Sequence, residues 1–560
     1  MENTSHPPRI LVCVAWPYAK TSTHVGQIAG AYLPGDIFAR YHRMAGSKVL
    51  MVSGSDMHGT PITVDADKEG VTPRELATRY HQQILAVWRE LGISFDLFTE
   101  TTTPNHYQQT QAFFLRLYEK GYIFKDTMES PYCPNDRRFL PDRYVEGTCP
   151  YCGYEGARGD QCDNCGRTLD PTQLIAPRCR LCGSPNVEIR ETEHFFLDLP
   201  QFEARLRSWL QQETGRWRPN VLNFALNWIK EGLKPRAITR DLDWGVPIPL
   251  PGYEDKRIYV WFDAVIGYYS ASIEWAQRNG TPDAWREWWE LRPDGSAPSL
   301  PYYFIGKDNI AFHTIIWPAM LMGVSGLALP YDVPANEFMT MGGSKASSSR
   351  GNVIWTRDVL DVYGADPLRY YLASTLPEGH DTDFTFEELV RRNNDELVAT
   401  YGNAAHRMLT FLQRNFGGMV PEPAALSEQD ERMLSQMRAA FASEAAAIEA
   451  VRLRDGLSEA MAVARAANRY LDEQAPWKSI KTDRQRAATT VYVMAQVLNG
   501  LKTLFAPYLP FSSQRLHELL GFGGDTMLER WEPVPVPAGQ ALPTPTPLFA
   551  KFDPPAATEA

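Results

Sequence analysis

The sequence contains no run of about twenty apolar residues, and this absence excludes a helix that spans a membrane. No basic segment followed by an apolar run stands at its start, so no secretory signal is visible and we expect a cytoplasmic protein. Basic residues are not in excess either. The net charge of −11 argues against a protein coated in nucleic acid, although a local basic face can still bind RNA.

Cysteine is scarce, with eight residues in a chain of 560. Six of the eight fall in three CxxC pairs, and in a large chain without a signal this spacing favours metal binding in a reducing cytosol over a disulfide framework. The chain is too long for a single core, so several domains are expected.

The first motif lies between residues 9 and 27. Residues 10–15 are all apolar and predict a strand buried on both faces, and Thr23 is the expected N-cap of a helix from His24 to about Arg43. A strand, a loop and a helix N-terminus in this order form a nucleotide site, because free N–H groups attract phosphate, His24 can donate to it and Gly26 leaves room for a flat ring. The alternative for a single histidine beside a glycine is an ordinary structural helix start.

The second strand, residues 49–54, runs into Asp56 at the edge where parallel sheets bind ligands. Asp56 can hold an ammonium group there, and the alternative is an ordinary turn aspartate. Residues 72–75 form a capping box with proline at the first helical position, and another helix is expected over residues 104–121. This alternation predicts an α/β fold with a parallel, doubly wound sheet.

The alternation of strands and helices is lost between residues 122 and 235, where the cysteines appear. Two CxxC pairs nine residues apart predict a structural zinc site that is closed by four thiolates: Cys149, Cys152, Cys162 and Cys165. A possible second site consists of Cys133, Cys179 and Cys182 with either Asp136 or water, and the alternative is a knuckle of reduced thiols. Cys13, in the first strand, is expected to be plain core.

Aromatic residues follow two later strands. Residues 259–268 predict a strand running into a helix, and residues 302–308 predict a strand followed by a helix with His313 and Trp317 on one face. Aromatic residues at the carboxyl ends of strands, here Trp261, Tyr268 and Trp317, suit a pocket for a thioether amino acid, because sulfur packs well against ring edges. The alternative is ordinary core packing.

A Gly- and Ser-rich segment, residues 342–352, predicts a mobile loop whose Lys345 and Arg350 suit a leaving pyrophosphate. The alternative is a flexible linker with incidental charges. Residues 387–522 carry apolar side chains at helical spacing and predict a helix bundle, with a break before Trp477. Trp477 can stack on a base or lock two helices together. The proline-rich end from Trp531 predicts an extended tail that frays after Pro554.

Together these motifs resemble those of methionyl-tRNA synthetases, a family of class I aminoacyl-tRNA synthetases, over about residues 8–552. Residues 24–27 resemble the HIGH signature and residues 345–349 the KMSKS loop. The resemblance also includes residues 16–18, 56–60, 139–143, 193–196, 260–264, 306–308, 378–384 and 472–477, and the zinc knuckles.

The resemblance implies activation of L-methionine with ATP to methionyl-adenylate, and transfer to the terminal adenosine of tRNA(Met), for both initiation and elongation. The implied methionine-binding residues are Trp16, Tyr18, Asp56, Trp261, Ala264, Tyr268, His313 and Trp317. The implied ATP-binding residues are His24, Gly26, Gln27, Gly306, Asp308, Lys345, Ser347, Ser348 and Arg350, with Mg²⁺ on the phosphates. Of these, His24, Gln27, Lys345 and Ser348 occupy the catalytic signature positions. Asn403, Arg407 and Trp477 match the positions that read the anticodon.

The resemblance divides the chain into a Rossmann-type catalytic domain in two halves, residues 1–121 and 236–330, separated by a zinc-knuckle insertion, residues 122–235. Residues 331–386 would hold the lysine loop and the stem-contact region, residues 387–530 the α-helical anticodon-binding domain and residues 531–560 the tail. Many relatives continue into a further domain, whereas this chain ends in the tail, so we expect a monomer.

Two positions depart from the family pattern. Gln27 replaces the usual histidine of the first signature, and its amide can still donate to a phosphate oxygen. Ser348 replaces the second lysine of the KMSKS loop, and losing one such donor costs on the order of 3 kcal/mol in analogous sites. Either Lys345 and Arg350 compensate, or adenylation is slow, or the chain is a non-catalytic paralogue that binds tRNA or methionine. A synthetase for cysteine, leucine, isoleucine or valine is discounted, because the insertion is too short for an editing domain and its cysteine pairs close their own site.

Overall fold

The computed structural model describes residues 8–553 apart from residues 160, 161, 163, 166, 168, 214 and 346–352. The strands of this part are β1 (Arg9–Val14), β2 (Lys48–Ser55), β3 (Leu97–Glu100), β4 (Ile123–Cys133), β5 (Arg138–Phe139), β6 (Val145–Thr148), β7 (Ala157–Arg158), β8 (Ile175–Cys179), β9 (Glu188–Leu197), β10 (Arg236–Ala237), β11 (Thr239–Arg240), β12 (Arg257–Ile258), β13 (Leu300–Gly306), β14 (Ala335–Asn336), β15 (Met339–Met341), β16 (Ser344–Lys345) and β17 (Thr382–Phe384).

The α-helices of the same part are α1 (Val25–Gln27), α2 (Leu33–Met44), α3 (Thr60–Glu69), α4 (Pro73–Leu91), α5 (Pro104–Glu119), α6 (Glu203–Gln212), α7 (Pro219–Glu231), α8 (Val260–Arg278), α9 (Arg286–Trp289), α10 (Trp317–Val324), α11 (Thr356–Tyr363), α12 (Ala365–Ser374), α13 (Phe386–Arg392), α14 (Asn403–Phe416), α15 (Glu428–Glu449), α16 (Leu453–Gln474), α17 (Pro476–Ser479), α18 (Arg484–Phe505) and α19 (Pro510–Leu519). None of the described helices is long and apolar enough to cross a membrane.

Five parallel strands form the central sheet, in the order β14-β13-β1-β2-β3. β1 lies in its middle, with Val12 between Tyr302 of β13 and Met51 of β2. Because side chains alternate along a strand, Tyr302 and Phe304 face the core that contains α2, whereas Tyr303 faces the core that contains α5, α8 and α10. The parallel, doubly wound sheet that the sequence predicts is confirmed.

The helix after β1 begins one residue later than the sequence predicts. His24, not Thr23, is the N-cap, because His24 has extended backbone and its N–H donates to the side-chain oxygen of Gln27 at 3.1 Å. The helical run ends at Met44, one residue beyond the expected end. Between α1 and α2, residues Ile28–Tyr32 are π-helical, a feature that is frequent at functional sites.

The chain leaves the central sheet between α5 and α8, where the sequence predicts an insertion. β4 and β9 form a long antiparallel ladder from the pair Ile123–Leu197 to the pair Tyr132–Glu188. A small sheet of β7, β6 and β8 lies between β4 and β9 in the chain, and four of the twelve described buried residues of its core are cysteines.

The chain around Tyr259 folds differently from the expectation. The apolar run predicts a strand that leads into a helix, but α8 already begins at Val260 and the strand before it is only two residues long. A short apolar run reads alike in a buried strand and in a buried helix, which is why periodicity alone cannot separate them. The strand expected at residues 302–308 is β13, and a π-helical turn over Phe312–Ile316 precedes α10.

The helices from α13 to α19 form the helical region that the sequence predicts, and the chain breaks between α16 and α17 at Ala475, which has φ of 39°. The segment after α19 runs back to α2, beside the central sheet. There the Trp531 ring lies 5.0 Å from the Tyr41 ring between centroids, and its backbone N–H donates to the Met44 carbonyl. The predicted fraying after Pro554 lies outside the described residues.

Candidate active site and metal centres

The candidate site lies at the carboxyl ends of β1, β2 and β13. The loop after β1 runs beside the end of β2, where the Asp56 N–H donates to the Pro17 carbonyl at 2.8 Å and the Ala19 N–H donates to the Asp56 carbonyl at 2.9 Å. These two hydrogen bonds set Tyr18 beside Asp56. Asp56 is buried, and burial together with the nearby charge of Asp263 raises the pKa of its carboxyl group.

The indole ring of Trp16 is held in a slot between two glycines. A Cβ added to Gly54 would lie 2.3 Å from this ring, and one added to Gly267 of α8 would lie 2.6 Å from it. The indole meets Tyr268 edge to face, with 6.4 Å between ring centroids. Sequence reasoning missed both glycines, although a glycine inside a strand or helix pattern is the signal of such a close approach.

Tyr268 and His313 form a buried hydrogen-bonded pair. Nδ1 of His313 donates to the Asn309 carbonyl at 2.9 Å, which leaves Nε2 to accept from the hydroxyl of Tyr268 at 2.8 Å. Burial lowers the pKa of His313 to about 4, so the ring is neutral at physiological pH. The hydroxyl of Tyr268 therefore has a fixed direction.

Two further predicted residues lie on the same side of α8 as Tyr268. Trp261 and Ala264 are both half-buried, and the Trp261 ring meets Phe312 edge to face at 4.9 Å between centroids. Trp317 is fully buried, and its indole N–H donates to the hydroxyl of Tyr303 at 2.9 Å. Trp317 thus lies in the core behind the aromatic wall that Trp16, Trp261 and Tyr268 form.

Three of the predicted nucleotide residues, His24, Gly26 and Gln27, lie at the N-terminus of α1. Burial lowers the pKa of His24 to about 4, and no described residue contacts its buried Nδ1 by a hydrogen bond. A Cβ on Gly26 would lie 3.2 Å from both that nitrogen and the Met339 carbonyl oxygen of β15, so the backbone surface here is open only because of the glycine. Gly306 and the exposed Asp308 follow at the end of β13.

The lysine loop begins from a hairpin of β15 and β16. Gly342 and Gly343 form its turn with φ of 60° and 74°, a conformation that favours glycine. The carboxylate of Asp383, on β17, accepts hydrogen bonds from the Gly343 N–H at 3.1 Å and the Thr340 hydroxyl at 2.6 Å. Lys345 ends β16, whereas Ser347, Ser348 and Arg350 lie outside the described residues.

The insertion brings two ligand sets together, each with its four ligand atoms within 4.8 Å of one another. In the set of Cys149, Cys152, Cys162 and Cys165, sulfur–sulfur distances are 3.6 and 3.9 Å. Four sulfurs that each lie about 2.3 Å from one zinc ion are about 3.8 Å apart, so these reduced cysteines fit a tetrahedral ion.

The second set is Cys133, Asp136, Cys179 and Cys182. The sulfurs of Cys133 and Cys182 are 3.6 Å apart, and Oδ2 of Asp136 lies 3.0 Å from the sulfur of Cys179. The Asp136 carboxylate can therefore supply the fourth ligand, for which the sequence leaves Asp136 and water as alternatives. This donor set also fits one metal ion.

The three residues expected to read the anticodon meet on one surface of the helical region. Asn403 and Arg407 are one turn apart on α14, and the Arg407 guanidinium lies 4.8 Å from the centroid of the Trp477 ring. Arg407 also pairs with Asp472 of α16 at 2.7 Å. Trp477 is 38% exposed, so part of its ring is free to stack on a ligand.

The fold and the site define a class I aminoacyl-tRNA synthetase. Residues 10–409 match the family model described as tRNA synthetases class I (M), and residues 420–559 match the anticodon binding domain of methionyl tRNA ligase. The chain belongs to the methionine–tRNA ligase family.

Named relatives agree with this assignment. The chain is 54% identical to the methionine–tRNA ligase of Roseiflexus sp. (strain RS-1), over 98% of this chain and 97% of that one. It is 57% identical to the enzyme of Dehalococcoides mccartyi (strain CBDB1), over 97% of both. Methionyl-tRNA synthetase of Mycobacterium tuberculosis bound by methionyl-adenylate matches with a TM-score of 0.79 and 26% identity, over 97% of this chain and 100% of that one. A non-catalytic paralogue is not favoured.

Proposed function

We propose that this protein activates L-methionine with ATP to methionyl-adenylate and transfers the methionyl group to the terminal adenosine of tRNA(Met). The observation that carries the proposal is the adjacency of a buried carboxyl group, an aromatic wall and a helix N-terminus at the carboxyl edge of one parallel sheet. This edge would offer an ammonium ligand, a thioether pocket and a phosphate site beside one another.

The methionine side chain would lie against Trp16, Tyr18, Trp261, Ala264, Tyr268 and His313, with Trp317 supporting the wall from behind. Selection depends on shape and on the fixed hydroxyl of Tyr268, since the wall carries no charge. The ammonium group would bind the carboxylate of Asp56, which places the substrate carboxylate toward the helix N-terminus.

ATP would lie on His24, Gly26 and Gln27, with Gly306 and Asp308 near the nucleoside. The methionine carboxylate attacks the α-phosphorus and pyrophosphate leaves, and the terminal hydroxyl of the tRNA then attacks the acyl carbon and releases AMP. No protein nucleophile is needed, because catalysis consists of positioning and charge stabilisation. Lys345, Ser347, Ser348 and Arg350 would close over the phosphates, and Mg²⁺ would enter with ATP.

The two ligand sets of the insertion would each hold one structural zinc ion. Four thiolates, or three thiolates and the carboxylate of Asp136, leave no open position for a reacting group. The ions would hold together an insertion that has few apolar residues in its core.

The helical region would read the CAU anticodon through Asn403, Arg407 and Trp477, by hydrogen bonds and by stacking. One such surface would serve initiator and elongator tRNA alike. We place the protein in the cytoplasm as a monomer, and light scattering that finds a stable dimer would contradict the second statement.

Methionine-dependent exchange of labelled pyrophosphate into ATP tests the activity. We expect exchange by the wild type, a loss of about a hundredfold in Lys345→Ala, in line with the removal of one charge-stabilising donor, and a gain in Ser348→Lys. Folded, metal-loaded wild type that binds tRNA but catalyses no exchange would contradict the proposal.

A further inference from the structure

A second buried carboxyl group lies close to the one assigned to the amino group of methionine. Asp263 of α8 is completely buried, and no described residue donates a hydrogen bond to its Oδ1. Its Oδ2 lies 2.7 Å from Nδ1 of His58, and the backbone N–H of His58 donates to Oδ1 of Asp56 at 3.1 Å. One histidine therefore connects the two carboxyl groups.

Apart from Asp263, the described groups that contact the imidazole of His58 in this cluster of Asp56, His58 and Asp263 are uncharged. Nε2 of His58 lies 3.2 Å from the hydroxyl of Tyr107, and the Trp244 ring meets the imidazole edge to face at 5.6 Å. Of the described lysines and arginines, none forms an ion pair with Asp56 or Asp263. The other titratable and charged groups that interact with His58 are Arg74 of α4, Glu100 of β3, and His106 and Tyr107 of α5, and Arg257 of β12 acts on Tyr107.

Burial decides the protonation of the cluster. Burial and the nearby charge of Asp263 raise the pKa of Asp56, and burial raises the pKa of Asp263. Burial, with a smaller contribution from Arg74, lowers the pKa of His58 to about 3, so the imidazole gives no compensating charge. Two nearby buried carboxyl groups that are joined through one uncharged histidine, with no ion-paired cation among the described residues, do not both ionise readily, and one proton on the pair is therefore favoured before a ligand binds.

We propose that Asp263, acting through His58, is a positioning residue that keeps a proton on the pair of carboxyl groups until methionine arrives. The ammonium group of methionine then binds Asp56 and displaces this proton to solvent. The inference rests on the proposed function, because it takes Asp56 as the ligand of the ammonium group. Before binding the cluster holds one carboxylate and one carboxylic acid, and afterwards it holds two carboxylates and one ammonium group. Without the substrate carboxylate, which points toward the helix N-terminus, the net charge of these groups is −1 in both states.

The exchange of a proton for an ammonium group has a measurable consequence. Methionine binding needs ionised Asp56, so the affinity rises with pH up to the pKa that Asp56 has in the empty site, with a limiting slope of tenfold per pH unit. Asp263→Asn removes the like charge and keeps the shape. The acid limb of KM for methionine then moves to lower pH, by about one unit or more.

We would measure methionine binding by titration calorimetry between pH 5 and 9, in two buffers of different ionisation enthalpy, for the wild type, Asp263→Asn and Asp332→Asn. Asp332 is a matched control, because it is also a buried aspartate with a raised pKa. It lies beside Tyr302, a residue in the first half of β13 and so away from the carboxyl end of that strand. We expect the wild type and the control to release up to one proton per methionine on the acid side. Asp263→Asn should release fewer protons at the same pH.

Two results would overturn the inference. One is a wild type that releases no proton at any pH, a result that does not depend on whether a variant folds. The other is an Asp263→Asn protein whose affinity falls by the same factor at every pH, which is what a purely structural role predicts. Failure of the proposed function gives a different result. The wild type would then not bind methionine, and Asp56→Asn would not change the binding measured by calorimetry.

Discussion

At the scale of single residues, the shape of the aromatic wall depends on two glycines that have no side chain. The indole of Trp16 occupies the space that a side chain at position 54 or 267 would fill. Both glycines have φ values that other residues also adopt, so the need for glycine here is one of space and not of backbone conformation. The slot is therefore open to a direct test.

Gly267→Ala should displace the indole of Trp16 and raise KM for methionine by about tenfold or more, because overpacking a buried site costs about 1–3 kcal/mol. Steady-state exchange kinetics measure the change. Gly30→Ala is the matched control, since a Cβ there meets nothing within 4 Å. In a Trp16→Leu background the same Gly267→Ala change should have little further effect, and an undiminished effect would show that the clash lies elsewhere.

Sequence patterns point to candidate site residues when these follow a strand end or open a helix, and they miss residues that a distant partner defines. Tyr18, Asp56 and His24 come directly after strands or open a helix, so local pattern points to them. Asp263 matters because of His58, which is 205 positions away in the chain. No periodicity within α8 contains that information.

At the scale of elements, the hairpin of β15 and β16 determines where the lysine loop starts. Three strands meet there, with β15 antiparallel to β16 and parallel to β17. The sequence shows the glycines of the turn, but the partner that fastens it, Asp383, stands forty residues later. The same limit explains why α8 is misread as beginning with a strand, since only burial by neighbouring elements separates the two conformations.

Asp383→Ala should loosen this turn and lower the rate of pyrophosphate exchange by about five- to thirtyfold, because two hydrogen bonds to a carboxylate, worth about 1–2 kcal/mol together, are lost. Asp383→Asn keeps an accepting oxygen and should recover most of the rate. Asp395→Ala, an exposed aspartate of the helical region, is the control. If the loss acts through Lys345, then Asp383→Ala should add little in a Lys345→Ala protein, and full additivity would refute this route.

At the scale of the whole molecule, the catalytic and helical regions share one continuous apolar core that runs from β1 and α2 into α15, α16 and α18. Arg369 of α12 is completely buried where these regions meet. Its guanidinium donates to Asp36 of α2, to the carbonyl of Leu91 at the end of α4 and to the carbonyls of Pro507 and Tyr508 before α19. The sequence cannot predict this junction, since Asp36 and Arg369 are 333 positions apart.

Removing the Arg369 guanidinium should therefore affect tRNA charging more than adenylate formation. Although burial opposes ionisation of Asp36, the charges of Arg40 and Arg369 hold its pKa near 2. Arg369→Met leaves buried carbonyls of both regions without a donor, so we expect a loss of about 3–5 kcal/mol in the free energy of unfolding. With Asp36 still paired to Arg40, pyrophosphate exchange should stay within about threefold of the wild type, while kcat/KM for aminoacylation should fall about tenfold or more, a difference of about 1.4 kcal/mol.

Arg40→Met separates this effect from simple destabilisation. Arg40 pairs with the same carboxylate of Asp36, but its other hydrogen bond goes to the Gly92 carbonyl, which belongs to the catalytic region. Both variants lose a buried ion pair, so both should unfold at lower denaturant concentration. Only Arg369→Met disconnects the turn at residues 507 and 508 from α2, and only this variant should lose aminoacylation out of proportion to exchange. Equal losses of both activities in the two variants would mean that the orientation of the helical region does not depend on the guanidinium of Arg369.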